Sequence, residues 1–202
     1  MSSSYRLGAT PLSDNRCHFR VWAPATERVD VHLVESDGRV SLDSHGDGFF
    51  SGIVDDCPIG TRYKYNLGEP GEFPDPVSRS QPEGVHGPSA VVTTAFDWND
   101  GEWNGIPREE LVIYELHIGT FTPGGTFEDA IARLDHLKDI GITAIEVMPV
   151  AQFPGRRNWG YDGVFPFAVQ DSYGGIVGFQ RFIDECHARG VAVLLDVVYN
   201  HL

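Results

Sequence analysis

From Leu111 onward, apolar runs of strand length alternate with stretches of helical period, and no other feature narrows the possible folds as far. LVIYELHI (Leu111–Ile118) is a largely apolar strand. Thr126 opens a helix, Asp129 completes a capping box, and Phe127, Ile131, Leu134 and Leu137 follow at helical spacing as far as Gly141. TAIEVM (Thr143–Met148) is a second strand, and a second helix carries Phe179, Phe182, Ile183 and Cys186 on one face before Gly190. VAVLLDVVYNHL (Val191–Leu202) then begins with a third strand. Strands that alternate with helices imply a parallel sheet, and right-handed crossovers leave a doubly wound sheet or an α/β barrel. A closed barrel takes eight strands. With three, the last strand is expected to present an open, association-prone edge, and the chain to be the N-terminal portion of a longer protein.

The first hundred residues have a different rhythm. Phe19 and Val21 alternate with His18, Arg20 and Trp22, and Val29, Val31 and Leu33 with Asp30 and His32, the period of half-buried strands. Asp37-Gly38 marks a hairpin turn, and Tyr63 and Tyr65 share one face of a later strand. Short antiparallel strands joined by Gly and Pro turns predict a β-sandwich over residues 1–97. The Pro- and Gly-rich run from Pro70 to Pro88 reads as an extended connection, with Val91 and Val92 as one last strand. Residues 98–110 are expected to form a linker, and 111–202 the beginning of a barrel.

Charge and cysteine usage bound the partners. A formal charge of −14 over 202 residues argues against nucleic acid or an anionic membrane and favours a neutral ligand. No apolar stretch approaches the roughly 20 residues that span a bilayer, and MSSSYRLGAT lacks a basic start and an apolar signal region, so a soluble cytoplasmic protein is expected. Cys17, Cys57 and Cys186 are odd in number and form no CxxC pair, which speaks against a disulfide framework or a zinc site. They read as reduced core residues. Nothing in the sequence calls for a cofactor or fixes an oligomeric state.

Two segments carry polar groups suited to chemistry. The loop after the second strand, about 150–174, is far longer than the usual connection of about 4–6 residues and contains FPGRRNWGYDGVFPF. Its Trp159, Tyr161 and Asp162, among further aromatics, suit sugars, whose C–H faces stack on rings while hydroxyls seek polar partners; equally, the aromatics can simply anchor the loop. After the third strand, Asp196, Asn200 and His201 offer an acid, an amide and a general acid/base or metal ligand, with a structural carboxylate at a strand end as the alternative. Glu115 and His117 share a strand face, which could make them site residues, although a polar barrel-core pair holding strands together is the favoured reading. Cys186-His187 reads as packing plus surface.

DVVYNH (Asp196–His201) resembles the first sequence signature of the α-amylase superfamily of glycoside hydrolases, and NWGYDG (Asn158–Gly163) occupies the place of its substrate-stacking tyrosine. FRVWAP (Phe19–Pro24) is similar to the immunoglobulin-like module that precedes the barrel in several members. PDPVSRSQPEGVHGPS (Pro74–Ser89), ELHIGTFTPGGTF (Glu115–Phe127) and VMPVAQFPGRRNWGYDGV (Val147–Val164) most resemble malto-oligosyltrehalose trehalohydrolases, whereas branching enzymes tend to read WGYQ where this chain has Trp159-Gly160-Tyr161-Asp162. The resemblance implies an immunoglobulin-like β-sandwich followed by the first three strands and two helices of an incomplete (β/α)8 TIM barrel. It also implies hydrolysis of the α-1,4 bond next to the terminal trehalose of maltooligosyl trehalose, with retention, by two carboxyl groups about 5–5.5 Å apart. Nucleophile and general acid are expected beyond Leu202, which would leave this chain inactive alone. By matching position, Tyr161 would stack beneath the sugar whose bond breaks, His201 would hydrogen-bond its hydroxyls, and Asp196 would be a supporting carboxylate. Trp159 and Asp162 would line the pocket. Asn200 corresponds to a calcium ligand in many α-amylases, which trehalose-releasing relatives generally lack, so no metal is expected. A branching or debranching enzyme of the same superfamily, or a non-catalytic glucan-binding fragment, is the alternative.

Overall fold

The computed structural model describes residues 6–69 and 71–200. It divides into two compact units, Met1–Thr94 and Ala95–Leu202. The first contains β1 (Gly8–Pro11), β2 (Cys17–Trp22), β3 (Asp30–Leu33), β4 (Gly38–Ser41), β5 (Asp43–Ser44), β6 (Phe49–Val54), β7 (Arg62–Asn66), β8 (Glu72–Phe73) and β9 (Ser89–Ala90). Two antiparallel sheets result, one ordered β1-β2-β6-β5 and the other β4-β3-β7-β8, with β9 also on β7. Alternation in the sequence becomes burial here. Phe19, Val21, Val31, Phe50, Tyr63 and Tyr65 meet in one core, and Phe19 meets both tyrosines edge to face. Asp37 turns β3 into β4 with φ at 53°, a backbone region that Asp tolerates better than most residues.

The Pro-rich run is more than the extended connection that its composition suggests. Glu72–Phe73 pairs with β7, and Asp75, Ser78 and Gln81 are buried. Tyr63 and Tyr65 donate their hydroxyl protons to Asp75 Oδ2 (2.6 and 3.4 Å), the Asp75 amide donates to Ser89 Oγ (3.0 Å), and Ser89 Oγ donates to Gln81 Oε1 (2.6 Å). Burial pushes the Asp75 carboxyl above the usual carboxylate range, while the two tyrosine hydroxyls and the Val77 amide, which donate to it, pull it back. The last strand sits at Ser89–Ala90 instead of Val91–Val92, because its pairing ends at Arg62 and Tyr63; Val91 adds one bond to the Thr61 carbonyl (2.9 Å).

The second unit contains β10 (Ile113–Leu116), β11 (Ala144–Val147), β12 (Ala151–Gln152), β13 (Phe165–Val169) and β14 (Ala192–Leu195). Its helices are α1 (Ile118–Phe121), α2 (Phe127–Ile131), α3 (Leu134–Asp139) and α4 (Gly175–Ala188). Strands β10, β11 and β14 form a parallel sheet in that order, in register through Ile113, Ala144 and Ala192. Leu116, Phe127, Leu134, Ile145, Phe153 and Phe182 form the core against it.

The expected first helix is two. It breaks at Ala132–Arg133, where the Arg133 amide reaches back only to the Ala130 carbonyl (2.9 Å), a three-residue turn. The Asp129 amide donates to Thr126 Oγ1 (3.2 Å), and that hydroxyl donates to the Asp129 carboxylate, so the cap closes side chain to side chain. The long loop holds a short antiparallel pair, β12 with β13, secured where Gln152 Oε1 accepts from the Asp171 amide and Gln170 Oε1 from the Phe153 amide. Before β10, residues 99–103 are fastened to α4. Asn99 donates through its amide and side chain to the buried Asp184 (2.8 and 2.9 Å), His187 pairs with Asp100 (2.8 Å), and Trp103 stacks on the His187 ring at 4.5 Å. His187 is therefore part of a clip and not merely surface.

Candidate active site

The parallel strands end together, and three sequence-distant segments meet there. Asp196 follows β14 directly, its amide still donating to the Val147 carbonyl of β11 (2.9 Å), which carries the register one residue past the strand. Tyr161 reaches it from the long loop and donates its phenolic proton to Asp196 Oδ2 at 3.1 Å. That bond, followed by burial and the nearby charges of Asp196, Glu115 and Glu146, pushes the Tyr161 phenol above its ordinary pKa. The phenol thus stays protonated and able to donate at neutral pH. Glu115 and Glu146 are register partners on β10 and β11, so the strand ends present carboxylates beside an aromatic ring.

Gly160 shapes the loop that presents this ring. It adopts φ at +100°, and a Cβ there would lie 2.4 Å from the Pro149 carbonyl oxygen, so only glycine fits. Asn158 closes the turn by accepting from the Gly160 amide (2.8 Å) and donating to Asp162 Oδ2 (3.1 Å). Trp159, 73% exposed, is displayed on top, and Tyr161 is 41% exposed. An open pocket of about 480 Å³ is lined by His117, Thr120, Arg156, Arg157, Asn158 and Trp159. A hollow of about 110 Å³ lies among Pro149, Gly160, Phe167, Asp196 and Tyr199.

Among the residues singled out in the sequence, Tyr161 and Asp196 are brought into contact, and Asp162 is tied into the Trp159 turn. Asn200 is exposed in a turn beyond Asp196, and His201 lies outside the described residues. Glu115 and His117 do not form the core pair expected of them. Glu115 is exposed on β10, and His117 has left the strand to precede α1, where its ring bonds the Asn158 carbonyl (2.7 Å). Asn158 stands in the sequence only as one polar group of the loop, and its turn-closing role with Gly160 is not read there, although an Asn two residues before a Gly is a recognisable turn signal. Among the described residues, no group of three His, Cys, Asp or Glu side chains gathers in a metal-binding arrangement.

Residues 72–202 match the alpha amylase catalytic-domain family, and residues 6–82 match carbohydrate-binding module 48, the isoamylase N-terminal domain. The chain belongs to the alpha-amylase family. Among curated alpha-amylase relatives, it is 49% identical to a malto-oligosyltrehalose trehalohydrolase of Saccharolobus solfataricus, covering 95% of this chain and 34% of that protein. A trehalohydrolase of the same kind from Arthrobacter ramosus is 47% identical over 91% of this chain and 32% of its own length. The chain thus spans about a third of the length of these relatives. Of solved structures, the catalytic module of the pneumococcal glycogen-degrading virulence factor SpuA superposes with a TM-score of 0.83 at 26% identity, covering 98% of this chain and 38% of that one. A maltotetraose-complexed pullulanase from Anoxybacillus superposes with a TM-score of 0.76 at 26% identity, covering 97% and 35%. The β-sandwich followed by parallel strands and helices is therefore the beginning of an alpha-amylase catalytic architecture.

Proposed function

We propose that the chain is the substrate-facing N-terminal part of a malto-oligosyltrehalose trehalohydrolase, an enzyme that releases trehalose from maltooligosyl trehalose. In this reading residues 1–97 are the carbohydrate-binding-type module, 98–110 the linker and 111–202 the start of the barrel. The observation that carries it is the Tyr161–Asp196 contact at the strand ends, in a chain nearly half identical to such an enzyme. Tyr161 offers its exposed face to a sugar ring while Asp196 fixes its tilt. Trp159 and Asp162 line the approach, Asn200 and His201 supply polar contacts, and no metal takes part. The ligand is a neutral α-glucan, which suits a chain of net charge −14 better than any polyanion. Three buried free thiols suit the reducing cytoplasm.

The proposal is tested by titrating the chain with maltooligosyl trehalose while following tryptophan fluorescence. Saturable quenching that Trp159→Ala abolishes and Tyr161→Ala weakens about tenfold is expected, since one stacked ring contributes roughly 1–1.5 kcal/mol. A flat titration sinks the reading. A glucan branching enzyme is the second reading, favoured by a 33% identical relative of that activity in Nitrosomonas europaea.

A further inference from the structure

The groups at the strand ends include one ring that lines the open pocket beside Trp159 and is held by several partners. His117 stands where β10 hands over to α1. Its Nε2 lies 2.7 Å from the Asn158 carbonyl oxygen, which can only accept, so Nε2 carries the proton. Nδ1 is then left to accept from Thr120 Oγ1 (3.3 Å). The Tyr173 hydroxyl is 3.2 Å from Nε2, and the Tyr173 and Trp159 rings meet the imidazole edge to face at 5.9 and 6.3 Å. Gly119 closes the remaining side: a Cβ there would come within 3.0 Å of His117 Cε1 and 2.9 Å of Tyr173 Cε1.

What this ring holds is the hinge of the aromatic loop. Asn158 ties Gly160 and Asp162 together through its side chain, and Gly160 packs so closely on Pro149 that a Cβ there would meet the Pro149 carbonyl oxygen. A shift of the Asn158 carbonyl must therefore be passed to Trp159 and Tyr161, which lie within three residues of it. We propose that His117 is a positioning residue: through its hydrogen bond to the Asn158 carbonyl it sets where Trp159 and Tyr161 stand above the strand ends, and so how tightly a glucan is held. The second half of this statement rests on the glucan reading above; the first does not. An unanchored loop would have to be ordered by the ligand, which lowers affinity without removing a contact to it.

The test uses this chain with His117→Phe, which keeps a ring and removes the donor, and His117→Gln, which keeps an N–H donor. Amide resonances of Gly160 and Tyr161 are recorded without ligand, and maltotetraose affinity is measured separately. His117→Phe is expected to move both amides and weaken maltotetraose about tenfold, the effect of one lost hydrogen bond, and His117→Gln to restore most of both. Unmoved amides in His117→Phe, or a His117→Gln chain as displaced as His117→Phe, overturn the proposal. Should His117→Phe not fold, His117→Gln decides: amides near their wild-type positions support the proposal and displaced ones overturn it. If the wild-type chain ignores maltotetraose while the amides move and recover as stated, the glucan reading falls and the positioning role stands.

Discussion

In the N-terminal unit each sheet covers the inner face of the other, and Phe19, Val31, Phe50 and Tyr63 are almost wholly out of water. In the C-terminal unit only the central strand is treated that way. Ala144, Ile145 and Val147 of β11 are fully buried, while Ile113 and Tyr114 of β10 and Leu194 and Leu195 of β14 remain exposed. The chain spans about a third of its relatives' length, and β10 and β14 are the outer strands of the three-stranded sheet it contains. The sandwich is closed around its core, and its polar plug, Asp75 with Tyr63, Tyr65 and Ser89, is satisfied internally. The parallel sheet carries polar groups at its strand ends, where Tyr161 meets Asp196 near the charges of Glu115 and Glu146.

The largest expected effect falls on the unit with the less complete core. Phe127→Ala removes a fully buried ring packed on Phe179, Phe182 and Tyr173, and should cost about 3–5 kcal/mol. Urea unfolding followed by residue-resolved NMR should show the C-terminal unit lost while Phe19 and Tyr65 keep native shifts; simultaneous loss of both would break the comparison. Next, Gly160→Ala should cost about 1–3 kcal/mol through backbone strain, with further displacement from the Pro149 clash, and thermal melting of the C-terminal unit measures it. Thr126→Ala should cost about 1 kcal/mol by removing the α2 cap, again confined to the C-terminal unit.

The smallest effect sharpens the other side of the comparison. Asp75 binds its proton more tightly folded than unfolded, because burial raises its pKa from the ordinary 3.8. Its contribution to stability is therefore whole below the unfolded value and lost as pH rises through the folded one. The sandwich should lose melting temperature along that limb, and Asp75→Asn should flatten it; an unchanged slope would show that another group is responsible.

Most of the architecture is legible in the sequence, because it rests on local periodicity. Phe19 and Val21 alternate, Phe127 to Leu137 follow helical spacing, and apolar runs end at Asp196. What periodicity did not reveal depends on hydrogen bonds between distant residues. Asp75 lies in a Pro-rich run whose composition suggests only an extended connection, yet two tyrosines from β7 hold it inside. His187 looks like helix surface until Asp100 and Trp103 come to it. At the site, Tyr161 and Asp196 stood out by residue type and His117 by its strand face, whereas the His117–Asn158 bond joins residues 41 apart and Gly160 acts through a backbone conformation and a close approach to Pro149.

The most direct test is trehalose release from maltooligosyl trehalose by the protein carrying a complete barrel, compared with its Tyr161→Ala variant. Release by the wild type, with kcat/KM reduced on the order of 100-fold in the variant, is the predicted result. No trehalose from the wild type, or full activity without the Tyr161 ring, would contradict it.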